Sequence, residues 1–242
     1  MGIPSVTIFI PAYNAATTIE AVIERIPKEL WDAIQAVLVI NDGSADDTSG
    51  VVRRAASRHP KLVLHEQPSN QGYGSAVRKG LRLALDTPAA YVVCLHADGQ
   101  YPPEKLPEFL PYMERHGVDV LQGSRHKAGT ARAGGMPRYK VAAGHLLTWM
   151  ENRAFGLQMT DYHSGFMLYS RRAASEIPFE RLSTYFDFDL EVIASARARG
   201  LVVDELAIPT RYGDEESHLN PIVYGLRCLR VMLRYRLGRY RP

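Results

Sequence analysis

The 242 residues hold 29 Lys+Arg against 26 Asp+Glu, two cysteines and 46% hydrophobic residues. This suits one globular domain, with an appendage at most, and excludes collagenous, disordered and disulfide-stapled chains. The net charge of +3 belongs to the C-terminal end, because residues 221–242 carry six arginines and no acid. Residues 1–220 are therefore net acidic, which argues against a nucleic-acid partner.

Short apolar runs alternate with helical patterns along the chain, as in a sheet covered by helices. Val6 to Ile10 reads as a strand, followed by a helix over about 17–26. Ala36 to Ile40 is a second strand, and the helix after it is capped by Asp46 or Asp47. Leu62 to His65, Tyr91 to Leu95 and Val118 to Gln122 are further strands, separated by helices from about Gly74 and from the Pro102-Pro103 pair. Residues 123–136 read as a glycine-rich loop. A helix over about 139–155, a strand at Phe166 to Tyr169, a helix over about 190–199 and a strand at Val202 to Ile208 come next. Ile222 to Tyr240 is helical by period.

No run reaches the ~18 to 20 apolar residues of a membrane-spanning helix, and the N-terminus lacks the features of a signal peptide. Cys94 and Cys228 lack C-x-x-C spacing and read as reduced, packed thiols of a cytoplasmic protein.

Ligands of open parallel sheets bind outside the carboxyl ends of the strands, and the polar clusters fall there. Pro11-Ala12-Tyr13-Asn14 follows the first strand. Asn41-Asp42-Gly43-Ser44 follows the second; its carboxylate suits a ribose or base N–H, and the same residues suit a plain turn. His96-Ala97-Asp98-Gly99-Gln100 follows the fourth, with residues 96, 98 and 100 on one side. Oxygens from Asp98 and Gln100 suit a hard divalent ion shared with diphosphate, and a nitrogen from His96 would favour manganese. A polar turn before the prolines is the alternative. The spacing of the histidines argues against zinc. Asn70-Gln71-Gly72-Tyr73-Gly74 lacks nucleotide-fingerprint spacing and reads as a turn leading into a helix. Asp161, Asp187, Asp189 and Glu191 are either functional carboxylates or, for the last three, complements to a helix start.

In order and spacing, IPAYN, VINDGSADDT, NQGYGSAVRKG, HADGQYPPE, GSR and DYHSGF resemble family 2 glycosyltransferases, in particular the dolichyl-phosphate mannose synthase or polyprenyl-phosphate branch. The resemblance spans about residues 4–218. It implies a GT-A fold, an α/β architecture with a mixed, mostly parallel sheet, a nucleotide-diphosphate sugar donor and Mg²⁺ or Mn²⁺. Carried over by residue, it implies donor contacts at Pro11, Tyr13, Asn14, Asp42, Ala97 and Asp98, with His96, Asp98 and Gln100 at the metal. Arg125, Arg138 and Arg211 fall near the diphosphate and acceptor phosphate, and Ser217 and His218 where relatives often have Ser-Lys. Ala15 stands where a glutamate is usual, His96 where the metal motif begins with aspartate, and the membrane helices of relatives are missing.

The expected reaction displaces nucleoside diphosphate from the sugar C1 with inversion, Asp98 and Arg125 answering the developing charge. A phosphate acceptor arrives largely as a dianion and needs no base, whereas a hydroxyl would need one, with Asp161 the first candidate and Asp189 the second. Residues 122–150 hold five basic residues and no acid, which favours an anionic acceptor such as polyprenyl phosphate. Domains are expected at 1–218 and 219–242. In the latter, Ile222, Leu226, Leu229, Leu233 and Leu237 form one stripe with arginines opposite. Such a helix fits a membrane interface on the inner face of the cell, a homodimer contact, or docking on its own body.

Overall fold

The computed structural model describes residues 2–127, 138–209 and 221–242, with the backbone alone for 138–143 and 221. Strands β1 (Val6–Ala12), β2 (Ile34–Asn41), β3 (Leu62–Glu66), β4 (Tyr91–Cys94), β5 (Val120–Ser124), β6 (Met167–Ser170) and β7 (Val203–Ala207) form one sheet in the order β3-β2-β1-β4-β6-β5-β7. Every pair is parallel except those of β6, which runs against both β4 and β5. The sheet is thus mixed and mostly parallel, the GT-A-like architecture expected. The reversal of β6 is the feature that a simple strand-helix alternation misses.

Successive side chains of a strand point to opposite faces, and both faces here are apolar. Ile8 and Ile10 join Val37, Val39, Val93, Leu95, Leu121 and Leu168 on one face. There they meet α1 (Ile19–Glu24), α2 (Thr48–Ala56) and α4 (Leu106–His116). Phe9, Leu38, Ile40, Val92, Cys94 and Tyr169 point the other way. They pack under α3 (Tyr73–Leu85), α5 (Arg138–Phe155), α6 (Arg171–Glu176), α7 (Phe188–Ala198) and α8 (Pro221–Arg236). Both cysteines are free and buried in this second layer.

Local chemistry accounts for the element starts. Asp46 Oδ1 accepts the Thr48 N–H at 3.1 Å and so serves α2, while Asp47 turns outward to Arg54. Pro102-Pro103 opens a 3₁₀ turn, Pro103–Lys105, before α4 begins. The short α6 has no counterpart in the sequence reading; Ser170 caps it by accepting the Ala173 N–H at 3.0 Å.

The last helix differs most from its sequence pattern. It docks on the body through Cys228, Val231 and Met232, followed by Tyr240, all buried in the second core layer. The leucine stripe faces away: Ile222 is 75% exposed, Leu226 62%, Leu233 60% and Leu237 65%. Two of the arginines expected in water point inward instead. Arg234 donates to Glu191 at 2.6 Å, and Arg227 reaches Asp187 at 3.4 Å while lying 4.1 Å over the Tyr185 ring. Among the described residues no helix is long and apolar enough to cross a membrane.

Candidate donor site at the carboxyl edge of the sheet

The loops leaving β1, β2 and β4 meet at one edge, where a cleft of about 480 Å³ opens. Pro11, Tyr13, Asn14, His96, Ala97 and Asp98 line it together, joined by Tyr73 at the start of α3. Tyr13 is 51% exposed, a flat ring at the mouth.

The first two loops are laced by short polar bonds. Asn14 takes φ of +49°, a left-handed conformation that asparagine tolerates better than most residues. Its N–H donates to Ser44 Oγ at 2.9 Å, and its Oδ1 accepts the Ala45 N–H at 2.9 Å. Asn14 therefore fixes the cleft wall as well as lining it.

Asp42 stands apart from the other nucleoside candidates. It is 3% exposed and outside the cleft lining. Oδ1 accepts from Gln67 Nε2 at 2.7 Å and from the Gln71 N–H at 2.9 Å, and Oδ2 accepts the Gly72 N–H at 2.9 Å. Gly43 makes the approach feasible, since at φ +68° a Cβ there would sit 2.5 Å from the Ser69 carbonyl carbon. The Gln71 and Gly72 amides are thus committed to Asp42, and the segment acts as a turn leading into α3, as its spacing predicts.

The loop after β4 is braced from below. Arg25 donates from Nη1 to the Gly99 carbonyl at 2.8 Å and pairs with Glu104 at 2.8 Å. Asp98 accepts the Gln100 N–H through Oδ1 at 2.9 Å and borders the cleft. His96 Nε2 turns into the wall, 3.3 Å from the Tyr73 hydroxyl and 2.7 Å from where a Cβ on Gly165 would sit. Any bond from this ring to an ion beside Asp98 therefore falls to Nδ1. Burial, helped by the charge of Arg125, pushes the His96 pKa down against the pull of Asp98. The imidazole is neutral at pH 7 and retains a lone pair. A carboxylate oxygen and a neutral imidazole together fit a divalent cation.

Behind this ring lies a carboxylate that sequence reasoning ranked second. Tyr73 donates to Asp189 Oδ2 at 3.1 Å, and burial raises the Asp189 pKa to about 7, with the Tyr73 hydrogen bond opposing. Asp161, ranked first, is 2% exposed and is not in the cleft lining. Its Oδ1 accepts the His163 N–H at 2.8 Å. Burial works against charge on His163, but Glu151 and Asp161 outweigh it and hold the pKa above the ordinary value.

Arg125, just past β5, reaches the His163 carbonyl at 3.4 Å and acts electrostatically on His96 and Tyr101. Arg211, Ser217, His218 and the side chain of Arg138 lie outside the described residues. Asp187 and Glu191 at the start of α7 serve as anchors rather than caps. Asp187 Oδ1 accepts from Ser183 Oγ at 2.7 Å, and Glu191 is shared by Arg234 and the Tyr240 hydroxyl. Tyr73 and Gly165 lie within NQGYGSAVRKG and DYHSGF and Arg25 lies outside any quoted motif; the roles of all three depend on contacts between distant segments.

Comparison with known proteins identifies the family. The family model "Glycosyl transferase family 2" matches residues 7–178. A dolichyl-phosphate hexose transferase of Haloferax volcanii is 30% identical over 88% of this chain and 86% of its own length. The dolichyl-phosphate beta-glucosyltransferase ALG5C of Trichomonas vaginalis is 27% identical over 96% and 72%. Glucosyl-3-phosphoglycerate synthase from Mycobacterium tuberculosis, in complex with Mn²⁺, UDP and phosphoglyceric acid, superposes with a TM-score of 0.69 at 18% identity, over 99% of this chain and 80% of that one. The chain belongs to glycosyl transferase family 2 and is a glycosyltransferase.

Proposed function

We propose that this glycosyltransferase moves a hexose from a nucleotide-diphosphate sugar to a polyprenyl or dolichyl phosphate presented at a membrane surface. The observation that carries the acceptor is the outward apolar face. Leu146 and Trp149 of α5, Ile222, Leu226 and Leu233 of α8, and Leu237 just past it are all more than half exposed. Each such side chain forgoes about 1.5–3 kcal/mol of burial, and a surface of this kind marks a contact site. The dolichyl-phosphate transferases among the relatives support the same acceptor class.

On this reading Pro11, Tyr13 and Asn14 hold the nucleoside, with Asp42 fixing the neighbouring turn. Asp98, with Gln100 and His96 beside it, holds a divalent cation, which when bound offsets charge on the leaving diphosphate. Arg125 contributes a second positive charge, and the resemblance assigns the acceptor phosphate to it together with Arg138 and Arg211. The acceptor phosphate attacks as a dianion, so no protein base is required. The segment 219–242 acts as the membrane-contact arm of a peripheral protein on the cytoplasmic face.

One observation favours a second reading. Asp189, raised by burial to about 7, touches the cleft only through the Tyr73 hydroxyl, and on this reading it takes the proton of a hydroxyl acceptor by way of that group. Purified protein supplied with nucleotide sugars and Mg²⁺ or Mn²⁺ separates the two. Transfer to polyprenyl phosphate is expected. Glycosylation of a soluble saccharide with polyprenyl phosphate left untouched overturns the lipid assignment.

A further inference from the structure

A second group of ligating side chains lies away from the Asp98 loop, gathered from three separate elements. Glu151 comes from α5, His163 from the loop before β6 and Cys228 from α8, and their ligand atoms all lie within 4.8 Å of one another. Glu151 and Cys228 have no exposed surface, and His163 keeps only an edge in solvent.

His163 Nε2 stands 3.4 Å from Glu151 Oε2, an ion-pair separation, and both groups are buried with little other polar company. Glu151 draws a proton to His163 in this pair, and a cation bound between them would displace it. The other side of the ring is fixed, since His163 Nδ1 is 2.8 Å from the Tyr224 hydroxyl. With Nδ1 held there, Nε2 is the nitrogen that faces Glu151 and would ligate, the arrangement metal-bound histidines use.

We propose that Glu151, His163 and Cys228 form a buried site for a borderline-soft divalent cation such as Zn²⁺, separate from the cation position at Asp98. Nitrogen, carboxylate and sulfur donors suit zinc. With bonds of about 2.0–2.3 Å, zinc ligands sit about 3.3–3.8 Å apart, so the three need to close by an ångström or so. On binding, the Cys228 thiol gives its proton to solvent and sulfur bonds the ion as thiolate. The ion clamps α8 to α5 and to the DYHSGF loop. Histidine spacing argues against zinc only because it looks along the chain.

The test uses full-length protein stripped with a chelator and titrated with Co²⁺ and then Zn²⁺, without nucleotide. The expected result is one equivalent of Co²⁺ giving thiolate-to-cobalt charge-transfer absorption, which Zn²⁺ abolishes, and a melting temperature raised by Zn²⁺. Asp98→Ala and Cys94→Ser should keep the band, Cys228→Ser should lose it, and Glu151→Gln should weaken binding by roughly tenfold or more. A wild-type spectrum without the band, or a band that persists in Cys228→Ser and so reports a different thiolate, overturns the proposal. The wild-type measurement decides even where a variant fails to fold. Failure of lipid transfer alone leaves this result untouched, so the two readings fail separately.

Discussion

The two halves of the sheet build the site in different ways. From β1 to β4 each strand is parallel to its neighbour; the exit loops of β1 and β4 line the cleft directly, the chain after β3 adds Tyr73, and the β2 loop braces the β1 loop through Ser44 and Ala45. From β5 onward the chain supplies a wall made of side chains from distant elements: Gly165 against His96, Asp189 behind Tyr73, and α8 clasped through Arg227 and Arg234. The first half shapes the cleft by local turn chemistry. The second is a scaffold whose polar contacts are long-range, and its outer face leaves a row of large apolar side chains exposed.

The sharpest way to break this contrast is Asp98→Ala. Transfer and donor hydrolysis should both fall by about 10²–10³-fold, the scale of losing one charge-stabilising group, while the melting temperature stays near wild type. Activity assays on purified protein check this, and unchanged turnover would remove the cation from Asp98. Next in size is Leu226→Glu with Leu233→Glu on the outer face. Association with anionic vesicles in a pelleting assay should drop by tenfold or more, with folding stability within about 0.5 kcal/mol of wild type. If light scattering instead shows a dimer that the double variant splits, a second copy covers this face and the membrane reading falls.

Arg234→Ala tests the clasp. Glu191 loses one of its donors and keeps Tyr240 and the Ser183 N–H, so a loss of about 1–3 kcal/mol is expected in urea unfolding. Asp189→Asn has the smallest effect at acid pH, where the native side chain is also neutral, and its effect grows with pH. The folded-state pKa is raised from 3.8 to about 7, so the folded state binds the proton more tightly. Stability contributed by protonated Asp189 is full below pH 4 and is lost as pH rises through about 7, by at most about 1.4 kcal/mol per unit. Asparagine should remove that slope from melting curves taken across pH 4 to 8, and a slope shared by both proteins would place the titration elsewhere.

Much of the first half was legible in the sequence because its determinants are local. Alternation fixes which face of β1 each residue takes, and the clusters after β1 and β4 sit where a parallel strand must release them. Asp42 shows the boundary of this reasoning: the sequence marks it as a functional carboxylate, but its partners Gln67, Gln71 and Gly72 become visible only when the loop folds back. The reversal of β6 has no local signature, since Met167–Ser170 is apolar in either direction. The helical period expected over 222–240 holds as far as Arg236, with turns over 237–240, and it predicts a stripe without saying which side docks. The decision falls to buried Asp187 and Glu191, whose charges need partners more than the leucines need cover. Asp161 was placed first among candidate bases for lying in a polar loop, whereas the fold gives it to the His163 turn.

The reversed strand β6 has one further implication. Met167 opens it opposite Cys94, the last residue of β4, and opposite Gln122 of β5. The polypeptide therefore departs from Ser124 and comes back at Met167 along the same rim, instead of crossing to the far end of the sheet. The excursion is tied into the fold at its far end, through Phe155, Met159 and Tyr162 in the second core layer, while the ladder pairings on either side set its two ends side by side.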